Sequence, residues 1–123
     1  MIKNLLLVFI GGGLGSSLRY IVGKWLNPNA LIPYGTFVAN VLGSLLIGVI
    51  LGWAIKNNAL NNPVNLLIGV GFCGGFTTFS TFSFENYALL KSGDYLPFFV
   101  YFFSSLFFGM LAVFGGMLLS KQF

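Results

Sequence analysis

Apolar residues run along this chain in four long blocks, each closed by a short polar interruption. The first block extends from about Leu5 to Trp25 and stops before Asn27-Pro28-Asn29, a turn signal followed by a second breaker at Pro33. The second runs from about Tyr34 to Ile55 and closes at Lys56-Asn57-Asn58. Asn61, Asn62 and Pro63 lead into a third block, about Val64 to Leu90, and Lys91-Ser92-Gly93-Asp94 makes the next turn. A phenylalanine-rich fourth block runs from about Tyr95 to Leu119 and ends at Ser120-Lys121. Each block matches the ~20 residues a helix needs to cross the hydrocarbon core of a bilayer. The pattern predicts an all-α membrane protein, one four-helix transmembrane domain over residues 1–123, with the spans using nearly all of the length.

Composition points the same way. Of 123 residues, 57% are hydrophobic and only 7% are charged, too little polar side chain to cover a water-exposed globule. The start, Lys3 followed by Leu5 to Ile10 and then small residues, also fits a cleaved signal peptide. Against cleavage, the apolar pattern continues past Arg19 to Trp25, and removal would leave three helices. The net charge of +4 would suggest nucleic acid in a soluble protein. Here the six cations are dispersed and sit mostly beside expected helix ends, which reads as interfacial anchoring and not as a nucleic-acid surface. Cys73 is the single cysteine and histidine is absent, so neither an intrachain disulfide nor a Cys/His metal cluster can form.

Charge also bears on orientation, because cytoplasmic loops normally carry an excess of Lys and Arg. If all four spans cross, Lys3, Lys56 and Lys121 share one side and Lys24 and Lys91 the other. So even a balance permits both orientations, and hence an antiparallel pair of identical chains; it is also compatible with one weakly signalled orientation. Gly11 and Gly15, and Gly48 and Gly52, form small-xxx-small pairs that let helix backbones approach closely, between subunits or within one.

Polar groups inside spans are costly and mark candidate functional positions. Arg19 lies in the first span and Glu85 in the third, either compensating each other or reaching to the headgroups. In the second span Thr36, Asn40 and Ser44 recur every four residues and form a polar stripe suited to helix–helix hydrogen bonding or to ion contact. Asn40 stands out, since a buried amide carries two donors that need acceptors, and an anion is one such acceptor. The stretch Gly71 to Glu85 is the most unusual: Gly74-Gly75 followed by Thr77-Thr78 is a weak helix former, so a break is expected there. Such a break exposes carbonyls that a hard monovalent cation, most simply Na⁺, would satisfy; a glycine kink used only for packing is the plainer reading. Beyond it, Phe79 and Phe82 are expected on one helical face, interleaved with Ser80, Thr81 and Ser83. Their usual role is packing, but the positive rim of an aromatic ring can also meet an anion. In the fourth span Tyr101, Ser105 and Gly109 form another four-residue row.

The combination of Gly11-Gly12-Gly13-Leu14-Gly15 with Arg19, Gly35-Thr36 with Asn40, and Gly71 through Glu85 resembles the Fluc (CrcB) fluoride-channel family over essentially the whole chain. That resemblance implies an antiparallel, dual-topology homodimer in the cell (inner or plasma) membrane, with two fluoride pores and one central structural Na⁺. It implies a pore asparagine at Asn40, pore phenylalanines at Phe79 and Phe82, an acidic residue at Glu85 and the first-span arginine at Arg19. Thr36, Ser80, Thr81 and Tyr101 match positions associated with the ion path, with Ser105 beside them. The Na⁺ would be held by the Gly74 and Thr77 carbonyls of both subunits. The departure is in the fourth span, where Gly109 and Val113 follow Ser105 in place of further polar side chains.

The implied activity is passive export of fluoride, which enters cells as neutral HF and is trapped as the ion. No P-loop, nucleotide-binding domain or catalytic triad is legible, so an enzyme is not expected. A small multidrug exporter of the dual-topology kind is the alternative, but its proton-for-cation exchange needs a first-span carboxylate where this chain has Arg19. A noncatalytic membrane anchor would use the same polar residues for packing alone.

Overall fold

A computed structural model describes residues 1–28 and 31–123; Asn29, the last residue of the expected turn Asn27-Pro28-Asn29, lies outside the described residues. All regular structure among them is helical. The elements are α1 (Ile2–Leu26), α2 (Tyr34–Lys56), a wide π-helical stretch (Asn65–Cys73) running into a single α-turn (Gly74–Phe76), α3 (Ser80–Lys91) and α4 (Tyr95–Ser120). The third span is therefore composite, Asn65–Lys91, and all four spans are long and apolar enough to cross a membrane. Boundaries fall within a few residues of those read from the apolar blocks.

Apolar side chains that would face the core of a soluble protein here face outward. Phe9, Leu14, Phe103, Phe107 and Phe114 are all exposed, while the small buried set includes Ala39, Ala54, Phe82 and Tyr101. With no stripe separating an apolar from a polar side, these helices suit a lipid surround. Lys24 lies over the Tyr20 ring and Lys91 over the Tyr87 ring, pairings expected where helix ends meet headgroups.

The helices associate as two pairs: α1 with the π-helical stretch, and α2 with α4. Both seams are built from glycine. A Cβ on Gly11 would collide with the Leu67 carbonyl and lie 2.9 Å from the Phe72 nitrogen, and one on Gly15 would lie 2.8 Å from the Phe76 nitrogen. Across the other pair, a Cβ on Gly48 would collide with the Val113 carbonyl and one on Gly52 with the Ser120 hydroxyl. The small-xxx-small pairs thus serve packing within one chain.

Within the stretch Gly74 to Thr78, where a break is expected, the third span bends but continues as one span. Gly74 keeps helical angles, and Thr77 is the residue that turns extended, with ψ at 156°. The reason is steric: Gly75 is wedged against the Gly12 carbonyl and Ser16, which holds it in the α1 seam, and Gly43 of α2 accommodates the Thr77 methyl. The chain bends through Thr77, Thr78 and Phe79 before α3 begins.

Candidate functional site

The bend is held by side chains that take over helical hydrogen bonds. In a regular helix the Thr78 N–H would bond the Gly74 carbonyl. Instead it donates to Asn40 Oδ1 at 2.7 Å, while Asn40 Nδ2 donates back to the Thr78 carbonyl at 3.1 Å. The Asn40 amide therefore acts as a surrogate peptide group reaching from α2. Three residues later the same diversion recurs: the Thr81 N–H, which would serve the Thr77 carbonyl, donates to Thr78 Oγ1 at 3.2 Å. Two carbonyls, Gly74 and Thr77, thereby lose their helical donors. They are the two oxygens expected to hold a cation.

A neutral pair of carbonyl oxygens suits a hard monovalent ion, and a Cβ built on Gly74 would meet nothing within 4 Å, so the neighbouring space is open. The donor chemistry at the bend fits Na⁺, while one chain supplies fewer oxygens than such an ion takes. Among the described residues no group of three His, Cys, Asp or Glu could hold a metal.

An open groove of about 510 Å³ runs along this bend, lined by Asn40, Ser44, Cys73, Thr77, Thr78, Phe79, Phe82, Ser105 and Gly109 among others. Its polar groups converge from α2, the bend and α4. The Ser105 hydroxyl is buried and has no hydrogen-bond partner among the described residues. Asn40 spends one amide proton on Thr78 and keeps a second. Phe79 and Phe82 both line the groove, with ring centroids 6.3 Å apart. Phe79 caps α3 with helical angles, its carbonyl accepting the Ser83 N–H, and the two rings differ in burial: Phe79 is 78% exposed whereas Phe82 is 5% exposed. Phe82 is held between Tyr101, at 5.2 Å, and Phe102, at 5.8 Å.

The remaining candidates gather elsewhere. Glu85 accepts hydrogen bonds from Thr36 Oγ1 and from the Tyr101 hydroxyl, each at 2.8 Å. Tyr101, almost fully buried, thus faces Glu85 and not the groove, so the row Tyr101–Ser105–Gly109 serves two places. Arg19 does not compensate Glu85. Its Nε donates to the Gly75 carbonyl at 3.0 Å, joined there by Ser16 at 3.4 Å. A guanidinium at the end of the Gly74–Phe76 turn is well placed, since carbonyls at a helix C-terminus carry partial negative charge. A second, smaller cleft of about 260 Å³ collects Arg19, Lys24, Thr36 and Thr81. Thr36 belongs to both this cleft and the Glu85 cluster, which connects them. Ser80 is exposed at the start of α3, its Oγ 3.4 Å from Thr78 Oγ1, and lines neither space.

Sequence reasoning missed Thr78, which contributes N–H, C=O and hydroxyl to the bend. The available signal was the spacing Thr78-x-x-Thr81, where a hydroxyl can reach an N–H three residues on. It also missed the Gly75 carbonyl as the acceptor for Arg19, for which no side-chain pattern gives a sign.

Together these features define a multi-pass membrane protein with a polar and aromatic groove at a mid-membrane bend. Residues 6–117 match the family described as CrcB-like protein, Camphor Resistance (CrcB). Similar proteins include the fluoride-specific ion channel FluC of Gloeothece citriformis, 49% identical over 97% of this chain and 98% of that protein. Those of Phocaeicola vulgatus, 46% identical over 97% of this chain and 99% of the relative, and of Bacteroides fragilis, 44% identical over 98% of each, bear the same description. The chain belongs to the CrcB family.

Proposed function

We propose that this chain is a fluoride-selective channel giving passive export of fluoride, working as an antiparallel homodimer with two pores and a central structural Na⁺. The observation that carries the reading is the groove itself. It gathers an amide proton of Asn40, the unpartnered Ser105 hydroxyl and the rings of Phe79 and Phe82 at one place inside the membrane. A small anion that sheds water must find donors in exchange, and hydroxyl, amide and aromatic-edge hydrogens supply them without a fixed positive charge that would trap it. Relatives spanning nearly the whole chain are named fluoride-specific ion channels.

The path runs from the basic cleft at Arg19, Thr36 and Thr81, past the Glu85–Tyr101 cluster, to the groove at Phe82, Phe79 and Asn40. The groove is open on one side and Phe79 is mostly exposed, so a second copy is needed to complete the wall. Na⁺, when bound, would be coordinated by the carbonyls of Gly74 and Thr77 from two chains and tie them together; it drives no transport. The three-to-two distribution of lysines across the ends supports both orientations in one membrane.

The test is anion efflux from vesicles reconstituted with the purified chain under an imposed potential. Fluoride loss with chloride retained is expected. A flux of organic cations coupled to protons would favour the exporter, and no flux the anchor. Probing a C-terminal tag from each side of the cell membrane should find both locations; a single location excludes the antiparallel arrangement.

A further inference from the structure

The opposite ends of this molecule differ in charge, and one has a groove to match. The ends of α2 and α4 and the start of α1 bring Lys56, Lys121 and Lys3 to one side. The chain's two side-chain carboxylates lie away from it: Glu85 bonds Thr36 near the start of α2, and Asp94 precedes α4. Between α2 and α4 at the basic end is a groove of about 500 Å³ lined by Gly52, Ile55, Phe114, Met117, Leu118 and Ser120, with Lys56 and Lys121 at its mouth. Ile55, Phe114 and Leu118 are exposed along it. Lys56 is held there, its Nζ donating to the Ser120 carbonyl at 3.2 Å, which leaves two ammonium protons directed elsewhere.

An apolar trough topped by two ammonium groups, with no side-chain carboxylate nearby, complements a molecule with an acyl chain and an anionic head. We propose that this groove is a binding site for an anionic phospholipid, its phosphate between Lys56 and Lys121 and an acyl chain against Ile55, Phe114, Met117 and Leu118. In an antiparallel dimer one such site would face each leaflet. The site is remote from the bend and does not depend on what the groove there conducts.

The test is native mass spectrometry of the full-length chain released from detergent after exposure to phosphatidylglycerol or phosphatidylcholine. Wild type should retain phosphatidylglycerol preferentially. A lysine near a lipid phosphate contributes about fivefold in affinity, so Lys121→Gln should weaken retention by about that factor and the Lys56→Gln/Lys121→Gln pair by about thirtyfold. Lys91→Gln, at the other end, should change nothing. Lys121→Gln spares the Lys56–Ser120 bond, so its effect does not reflect unfolding. Equal retention of the two lipids, or wild-type retention by the double variant, overturns the proposal. Conversion of dimer to monomer by the same substitutions on gel filtration would assign the groove to a second copy and overturn it too.

Discussion

The two halves of the third span are secured by different means. From Asn65 to Phe76 it lies backbone against backbone on α1, with Gly11, Gly15 and Gly75 removing every side chain that would separate them. From Thr77 onward the contacts are side-chain hydrogen bonds: Asn40 to Thr78, Thr78 to Thr81, and Thr36 and Tyr101 to Glu85. The first half is held by close backbone contact that leaves no room for a Cβ at Gly11, Gly15 or Gly75. The second half exchanges main-chain bonds for side-chain ones, which frees carbonyls and opens a groove. Rigid glycine packing thus supplies a fixed frame against which a polar bend can be held open within lipid, where irregular backbone is tolerated only if its groups are satisfied or line a cavity.

Substitutions that move one half but not the other should break or sharpen this contrast, in descending order of their effect on stability. Gly15→Val places atoms inside the Phe72 and Phe76 backbone and should cost more than about 3 kcal/mol, so that little folded protein survives gel filtration. Gly13→Ala in the same helix meets nothing within 4 Å and should behave as wild type in thermal unfolding. A mild effect of Gly15→Val would mean that the α1 seam is not the frame.

Asn40→Ala removes both bonds to Thr78 and leaves its N–H and C=O without those partners. The expected loss is about 2 kcal/mol, seen as a lowered unfolding midpoint, together with loss of fluoride flux. Asn40→Asp keeps the acceptor for the Thr78 N–H but loses the donor, and should fall between the two. Thr36→Val deletes one of two hydroxyls on Glu85 at nearly constant volume and should cost about 1 kcal/mol, with flux reduced in the assembled protein. Unchanged flux there would place the Glu85 cluster outside the path.

Much of this arrangement could be read before the fold was known, and the rest resisted for specific reasons. The four spans follow from apolar length, and Asn40 from the cost of an amide in lipid. The pairing of Arg19 with Glu85 was an attractive expectation that failed because Arg19 finds a backbone carbonyl, and main-chain acceptors carry no residue-type signature. Glycine spacing announces close approach but not its partner, so Gly11 and Gly48 read equally well as subunit contacts until their neighbours Leu67 and Val113 were seen. The π-helical stretch was invisible, since a segment apolar on every side shows no periodicity from which its winding can be inferred. Phe79 and Phe82 read alike by spacing, whereas burial separates them: Phe82 is enclosed by Tyr101 and Phe102, and Phe79 caps α3 at the exposed edge of the groove.

That exposure makes Phe79 the sharpest probe of the central claim, that the polar half of the third span with its aromatic groove carries fluoride. Phe79 is 78% exposed in the single chain, so replacing it with isoleucine should leave the fold of each subunit untouched. The decisive measurement is fluoride efflux from vesicles containing purified Phe79→Ile, with gel filtration confirming the wild-type oligomer. Severe loss of efflux in an intact assembly is the predicted result; efflux at the wild-type rate would contradict an aromatic path through the groove.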